Sequence, residues 1–346
     1  MVVQFRTIRI TKRYPLKISR GTSTGSNNLF VTVSDGHHEG LGECAPGTGF
    51  DDTLAESAQR QLQSIVDSGV VGEGPFATWK SMADEQIDPA AMAALDMALW
   101  DLVGKRASLP LREVFGLPLP TVPTSVTIGI NPVETILERV PEMLARTKAK
   151  CLKVKLGSPD GVAADQESYL AAAEAGRAFG VKMRVDANGG WSLEDAKKMV
   201  FWLAERECDY VEQPLSVEHE SDMPALFAVR PLPIFLDESV RTSKDIVRIS
   251  DCCDGVNLKL MKTGGLTEAL RLVATARAHG LSTMIGCMGE SSVAISAGAS
   301  IGALFDHIDL DSHLNLAPDP ATGAQLVEGV IQPTSAPGHG ASLNLS

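Results

Sequence analysis

From Thr121 onward the chain alternates with a steady rhythm, a short β-branched run followed by a helical stretch and then another run. The runs are Ser125–Ile128, Leu152–Leu156, Lys182–Val185, Tyr210–Val211, Ile234–Leu236, Val256–Leu260, Thr283–Ile285 and His307–Leu310. Helix-forming stretches such as Asp165–Phe179, Leu193–Glu205 and Leu266–His279 lie between them. Eight such units at roughly 24 residues each match the repeat of a (β/α)8 barrel. A doubly wound sheet would need a topological switch point and usually a Gly-rich phosphate turn. Lys262-Thr-Gly-Gly lacks the spacing of such a turn, so the barrel is the expected architecture for residues 121–316.

Residues 1–120 have a different texture. The alternating runs Val2–Ile10 and Leu29–Val33 flank a Gly/Ser/Thr/Asn-rich stretch, Ser19–Asn28, which predicts a hairpin with a long flexible tip. From Thr53 to Val103 the pattern becomes helical, and Ala90–Leu102 is nearly solid helix former. Strands followed by helices, without interleaving, predict an α+β domain. Pro110, Pro118, Pro120 and Pro123 then mark a boundary.

Composition narrows the class. Hydrophobic residues make up 44% of the 346 and charged residues 21%, which suits a packed core and excludes a disordered, collagenous or coiled-coil chain. The net charge is −12, with Lys and Arg scattered, so no basic face for nucleic acid or an anionic membrane is expected. The uncharged candidate for a membrane span, Ser291–Phe305, is too short and too rich in serine to cross a bilayer. The N-terminal residues alternate and carry charge, unlike a signal peptide, and six cysteines without a C-x-x-C pattern suit a reduced, cytoplasmic protein.

In a barrel the chemistry sits where the strands end. The second run carries Lys153 and Lys155, the third ends at Asp186, the fourth at Glu212 and the fifth at Asp237. The sixth carries Lys259, and the eighth carries Asp309 and Asp311. Singly, such a carboxylate is more often a helix cap or a loop charge, and Lys-x-Lys more often an exposed strand face. Here three consecutive runs each present one acid at spacings of 26 and 25 residues, close to one barrel unit, which predicts Asp, Glu and Asp at one level of one rim. Three converging carboxylates repel unless a cation lies among them. An all-oxygen donor set favours Mg2+ first and Mn2+ second. The lysines flank this site from the strands before and after it. A lysine beside Mg2+ and a second lysine should have its pKa lowered toward neutrality, as a base abstracting a proton α to a carboxylate requires.

These residues resemble the enolase superfamily, and within it the muconate-lactonising-enzyme-like subgroup. The matching segments are Leu152-Lys-Val-Lys-Leu-Gly, Arg184-Val-Asp-Ala-Asn-Gly-Gly-Trp, Val211-Glu-Gln-Pro, Leu236-Asp-Glu-Ser, Asn257-Leu-Lys-Leu-Met-Lys-Thr-Gly-Gly and, in the first domain, Gly40-Leu-Gly-Glu-Cys-Ala-Pro. The resemblance implies a (β/α)7β barrel capped by the first domain, with residues of about 317–346 completing the cap. It implies Asp186, Glu212 and Asp237 as Mg2+ ligands, Lys155 and Lys259 as the acid/base pair, and Lys153 beside the substrate carboxylate, holding down the pKa of Lys155. Glu290 in Met288-Gly-Glu matches a further site position. Asp309-Leu-Asp311 resembles the Asp-x-Asp of dipeptide epimerases, which binds the substrate's free α-ammonium.

The implied reaction is 1,1-proton transfer through an enediolate at the C-terminal residue of an L,L-dipeptide, with L-Ala-D/L-Glu as one candidate. Arg20, in the predicted loop, could pair with an acidic substrate side chain or be a solvated surface residue. Two features depart from the pattern, Gly189 where many relatives have Gln, and a Lys17–Asn28 loop that is short, rich in small residues and without an apolar patch; His313 beside the aspartate pair is also unusual. Alternatives on the same fold are a cycloisomerase, an o-succinylbenzoate synthase and an N-acylamino acid racemase, whose substrates lack a free ammonium. A metal-free Schiff-base aldolase and a non-catalytic binding protein are the readings from other classes. Barrels of this group often form homo-oligomers.

Overall fold

The computed structural model describes residues 1–344. Strands β1 (Val2–Ile18), β2 (Gly21–Ser34) and β3 (Glu39–Cys44) form an antiparallel sheet in the order β1-β2-β3. Helices α1 (Thr53–Asp67), α2 (Pro75–Asp84) and α3 (Pro89–Ala107) follow. The expected long tip over Ser19–Asn28 is not a loop, because β2 already starts at Gly21 and the turn is Ser19-Arg20 alone. The polar side chains that suggested a loop are spent on tertiary bonds. Asn27 donates to Asp52 at 2.7 Å and to the Phe50 carbonyl at 2.9 Å, while Asn28 donates to Glu43 and to the Gly289 carbonyl, both at 2.8 Å.

Helix α3 is buried along nearly its whole length and lies against the sheet. Its polar residues are anchors. Asp96 accepts from the Thr267 amide at 3.0 Å, and Asp101 accepts from the amides of Leu41 and His339, both at 2.9 Å. The contact with β3 requires glycine, since a Cβ on Gly42 would stand 1.9 Å from the Ala94 carbonyl oxygen of α3. Backbone on backbone cannot yield as a side chain tip can. Gly42→Ala is therefore expected to lower the unfolding free energy by roughly 3 kcal/mol or more, read from urea denaturation. An unchanged midpoint would mean that α3 shifts freely.

After a short helix α4 (Leu111–Val114) the barrel begins. Its strands are β4 (Ser125–Ile128), β5 (Cys151–Lys155), β6 (Lys182–Asp186), β7 (Val211–Glu212), β8 (Ile234–Leu236), β9 (Gly255–Lys259), β10 (Ser282–Gly286) and β11 (His307–Asp309). They pair in parallel in chain order, and a bridge from Thr124 to Ile308 joins the last strand to the first. Outside them run α5 (Val133–Thr147), α6 (Val162–Gly176), α7 (Leu193–Ala204), α8 (Met223–Phe227), α9 (Ser243–Ile249), α10 (Leu260–Thr263), α11 (Leu266–Ala278) and α12 (Ser292–Ser300). All eight expected runs are strands to within a residue or so at each end. No helix of the described residues is long and apolar enough to cross a membrane.

The sheet and the barrel are joined by a buried carboxylate. Glu43 of β3 accepts from the Ser291 hydroxyl at 2.7 Å and from the amides of Ser291 and Ala294, so it caps the start of α12. Burial pushes its pKa up, against these bonds. The helix N-terminus favours the anion there.

Candidate active site

Strand register assembles the site. Lys155 on β5 pairs in register with Asp186 on β6, and Asp186 with Glu212 on β7. Glu212 lies opposite Phe235 on β8, so Asp237, two residues on, points the same way one step further along. The three acids therefore do not share one level, as equal spacing suggested, because β8 ends at Leu236 and Asp237 belongs to the loop above it. They still converge, each offering an oxygen within 4.8 Å of the others. All three are buried.

The neighbouring cations divide these acids. Lys155 Nζ lies 2.5 Å from Asp186, and Lys259 Nζ lies 2.6 Å from Asp237, one lysine on each flank with Glu212 between. Lys262, from α10, contacts Asp237 and donates to the Asn257 carbonyl at 3.0 Å. Burial pushes each carboxylate up. The lysines reverse this for Asp186 and Asp237, which fall below the usual carboxylate range. Glu212, buried and next to Asp186, is raised to about 7 despite Lys153 at 3.1 Å. Burial likewise opposes the charge on Lys259, but Asp237, Glu212 and Glu238 outweigh it and raise its pKa. For Lys259 the protein's own carboxylates thus dominate over burial. A divalent cation among them would cancel that field.

The donor set fits a hard cation. The three converging groups are carboxylate oxygens, with no His or Cys among them. The loops behind them are held in left-handed backbone, Asn188 at φ +45° and Gln213 at φ +37°. Gln213 accepts from the Asp237 amide at 2.8 Å, and Asn257 donates to Glu212 at 2.6 Å, fixing the carboxylates from outside. Gly286 of β10 makes room for the Asn257 and Lys259 side chains of β9, since a Cβ there would lie 2.8 Å from the former and 3.1 Å from Lys259 Cε.

Opposite the triad the cleft carries Asp309 and Asp311. A pocket there is lined by Lys12, Lys155, Lys259, Met288, Asp309 and Asp311, among others. Lys153 is buried between the two ends, touching Asp309 and lying 3.1 Å from Glu212 and 3.8 Å from Asp186. Burial opposes its charge, yet Asp309, Glu212 and Asp186 raise its pKa well above the ordinary value, so it is a fixed cation. Asp309 Oδ1 has no partner among the described residues. Asp311 is raised to about 6 by burial and by Asp309, against hydrogen bonds from Thr127. Glu290 is buried, accepts from the Met288 amide at 2.8 Å and is raised by burial to about 8. His313 is lowered by burial to about 4 and stays neutral.

Arg20 sits at the hairpin tip, 2.6 Å from Glu238 and 3.1 Å from the Asn188 carbonyl. It is therefore bonded to the loops that follow two of the three acids. Sequence reasoning missed Lys12, Asn257, Lys262 and Glu238. Asn257, Lys262 and Glu238 lie within the quoted segments, beside the assigned residues, and only Lys12, just past the run Val2–Ile10, had no signal.

A parallel barrel whose rim gathers three acids between two lysines defines a class of proton-transfer enzymes that work with a divalent cation. Residues 2–116 match the mandelate racemase/muconate lactonizing enzyme N-terminal domain, and residues 135–346 match the enolase C-terminal domain-like family, so the chain belongs to that family of the enolase superfamily. It is 53% identical to a hydrophobic dipeptide epimerase of Roseobacter litoralis, with 99% of each chain covered. It is 50% identical to a hydrophobic dipeptide epimerase of a Flavobacteria bacterium, over 99% of this chain and 98% of that one. Among solved structures, it superposes on a dipeptide epimerase from Enterococcus faecalis V583 complexed with Mg and L-Leu-L-Tyr. The TM-score is 0.85, with 29% identity and 98% of each chain covered.

Proposed function

We propose that the protein is a Mg2+-dependent dipeptide epimerase, an isomerase that inverts the α-carbon of a dipeptide's C-terminal residue. The observation that carries the reading is the placement of Lys155 and Lys259 on opposite flanks of one carboxylate triad. Mg2+ held by Asp186, Glu212 and Asp237, with Mn2+ as a substitute, would stabilise the charge that develops on the substrate carboxylate as its α-proton leaves. One lysine removes that proton and the other, protonated, returns one to the opposite face. Lys153 supplies a permanent positive charge beside the carboxylate end. Residues 1–120, completed by residues after about 316, close the cleft from above.

Asp309 and Asp311, on the far side of Lys153 from the triad, form the end that takes the α-ammonium. Because Asp309 already touches Lys153, Asp311→Asn is the cleaner variant. It is expected to reduce by roughly a hundredfold the preference for a free-amine dipeptide over its N-acetyl counterpart, measured as α-deuterium uptake in deuterated water with Mg2+. An unaltered preference would remove the aspartates from the reading and favour the N-acyl or cycloisomerase chemistries.

The side-chain preference we favour at the C-terminal residue is hydrophobic. The two relatives at 50% identity or more carry that name. Arg20, the residue suited to an acidic C-terminal side chain, is occupied by Glu238. L-Ala-D/L-Glu is thereby the weaker candidate. The six free cysteines suit a cytoplasmic enzyme of small molecules.

A further inference from the structure

We propose that Lys12, with Arg139 and Arg146 behind it, forms a subsite for a carboxylate on the side chain of the substrate's N-terminal residue. The inference rests on the dipeptide reading and adds to it which N-terminal residues the cleft selects.

Lys12 lies on β1, where its backbone bridges to Leu316, and its side chain lines the same cavity as Lys155 and Lys259. Every other lysine of that cavity has a carboxylate partner. Lys12 has none within 4.0 Å among the described residues. The groups it faces are Cys287, Asp311 and Glu290. Burial holds the Cys287 thiol protonated, and it raises Glu290 to about 8, which leaves Asp311 as the one anion near it. Asp311 is the group that the substrate's ammonium would engage. A half-buried ammonium without a partner is costly, and a substrate anion would offset that cost.

Leu16, Thr127, Asp311 and Asn315, at the same end of the cleft, also line a small pocket between β1 and α5. Arg139 and Arg146 line it. Arg139 stacks on the Tyr14 ring at 4.8 Å and reaches Asn131 at 3.4 Å, with no carboxylate in range among the described residues. The nearby Glu142 accepts the Tyr14 hydroxyl at 2.6 Å. In a chain of net charge −12, three cations without carboxylate partners along one path are a selective feature. Their side of the cleft is that of Asp311, away from the triad, so they meet the N-terminal residue and not the one that is inverted.

The test compares L-Glu-L-Leu with L-Gln-L-Leu, isosteric apart from the charge, in the Mg2+-loaded enzyme. Both α-deuterium uptake and equilibrium binding by calorimetry are read. The wild type is expected to favour L-Glu-L-Leu by roughly tenfold, Lys12→Met to bring that ratio near one, and Lys12→Arg to retain most of it. Equal binding and equal exchange of the two peptides by the wild type would overturn the proposal. So would a ratio that survives Lys12→Met. Charge-selective binding lost in Lys12→Met, without exchange of any dipeptide, would uphold the subsite and sink the epimerase reading instead.

Discussion

Lys259→Ala is expected to lose epimerisation by about 10³-fold or more, and Lys155→Ala by a similar factor, because each removes the group we propose to move a proton on one face of the α-carbon. The two variants should nevertheless differ in a telling way. With one lysine left, the α-proton of one epimer can still be removed and returned on the same face. Lys155→Ala should therefore exchange deuterium into one epimer of a dipeptide, and Lys259→Ala into the other, without interconverting them. Chiral separation with mass spectrometry reads both. The folds should survive, since Asp237 keeps Lys262 when Lys259 is removed, and Asp186 keeps Lys153 at 3.8 Å when Lys155 is removed. If either variant epimerises near the wild-type rate, the two-lysine assignment is wrong.

The second large effect is expected at Glu212, midway between the flanking acids. Glu212→Gln should cost about 10³-fold in activity, the scale of a lost divalent-ion interaction with developing charge. Its stability should respond in the opposite sense. In metal-free enzyme the carboxylate is raised to about 7 by burial and by Asp186, so it is already disfavoured as an anion, and the neutral amide relieves like-charge repulsion. The apo variant should therefore melt no lower than apo wild type. Adding Mg2+ should raise the wild-type melting temperature, by the equivalent of about 2.7 kcal/mol at a hundred times Kd, and leave the variant unmoved. Dialysis against EDTA should abolish wild-type activity, and Mg2+ should restore it. An equal Mg2+ shift in both proteins would place the ion elsewhere.

Much of the barrel could be read in advance because each strand is a short apolar run closed by a charged residue, and the interval from Asp186 to Glu212 to Asp237 repeats the barrel unit. Local composition failed where tertiary contacts override it. The Ser19–Asn28 stretch has the make-up of a loop, yet Asn27 and Asn28 find partners on other segments and the backbone stays in the sheet. The clear alternation stops at Ile10 although the strand runs to Ile18, so nothing local marks Lys12 as part of it. Arg20 illustrates the limit differently. Its position at a hairpin tip was visible, but its partner, Glu238, is 218 residues away, and no local pattern encodes that distance.

Asp101 of α3 receives the His339 amide, and the Leu111 amide donates to the Gly338 carbonyl at 2.7 Å. On a ribosome the first hundred residues emerge long before these partners exist. The sheet and α3 can collapse early, but Asp101 then keeps part of its hydrogen-bonding capacity unfilled until the whole barrel has been made. A part synthesised before the barrel is thus among the last to reach its final form. Nascent chains should pass through a loosely docked stage that depends on the ribosome's pace and on chaperone cover.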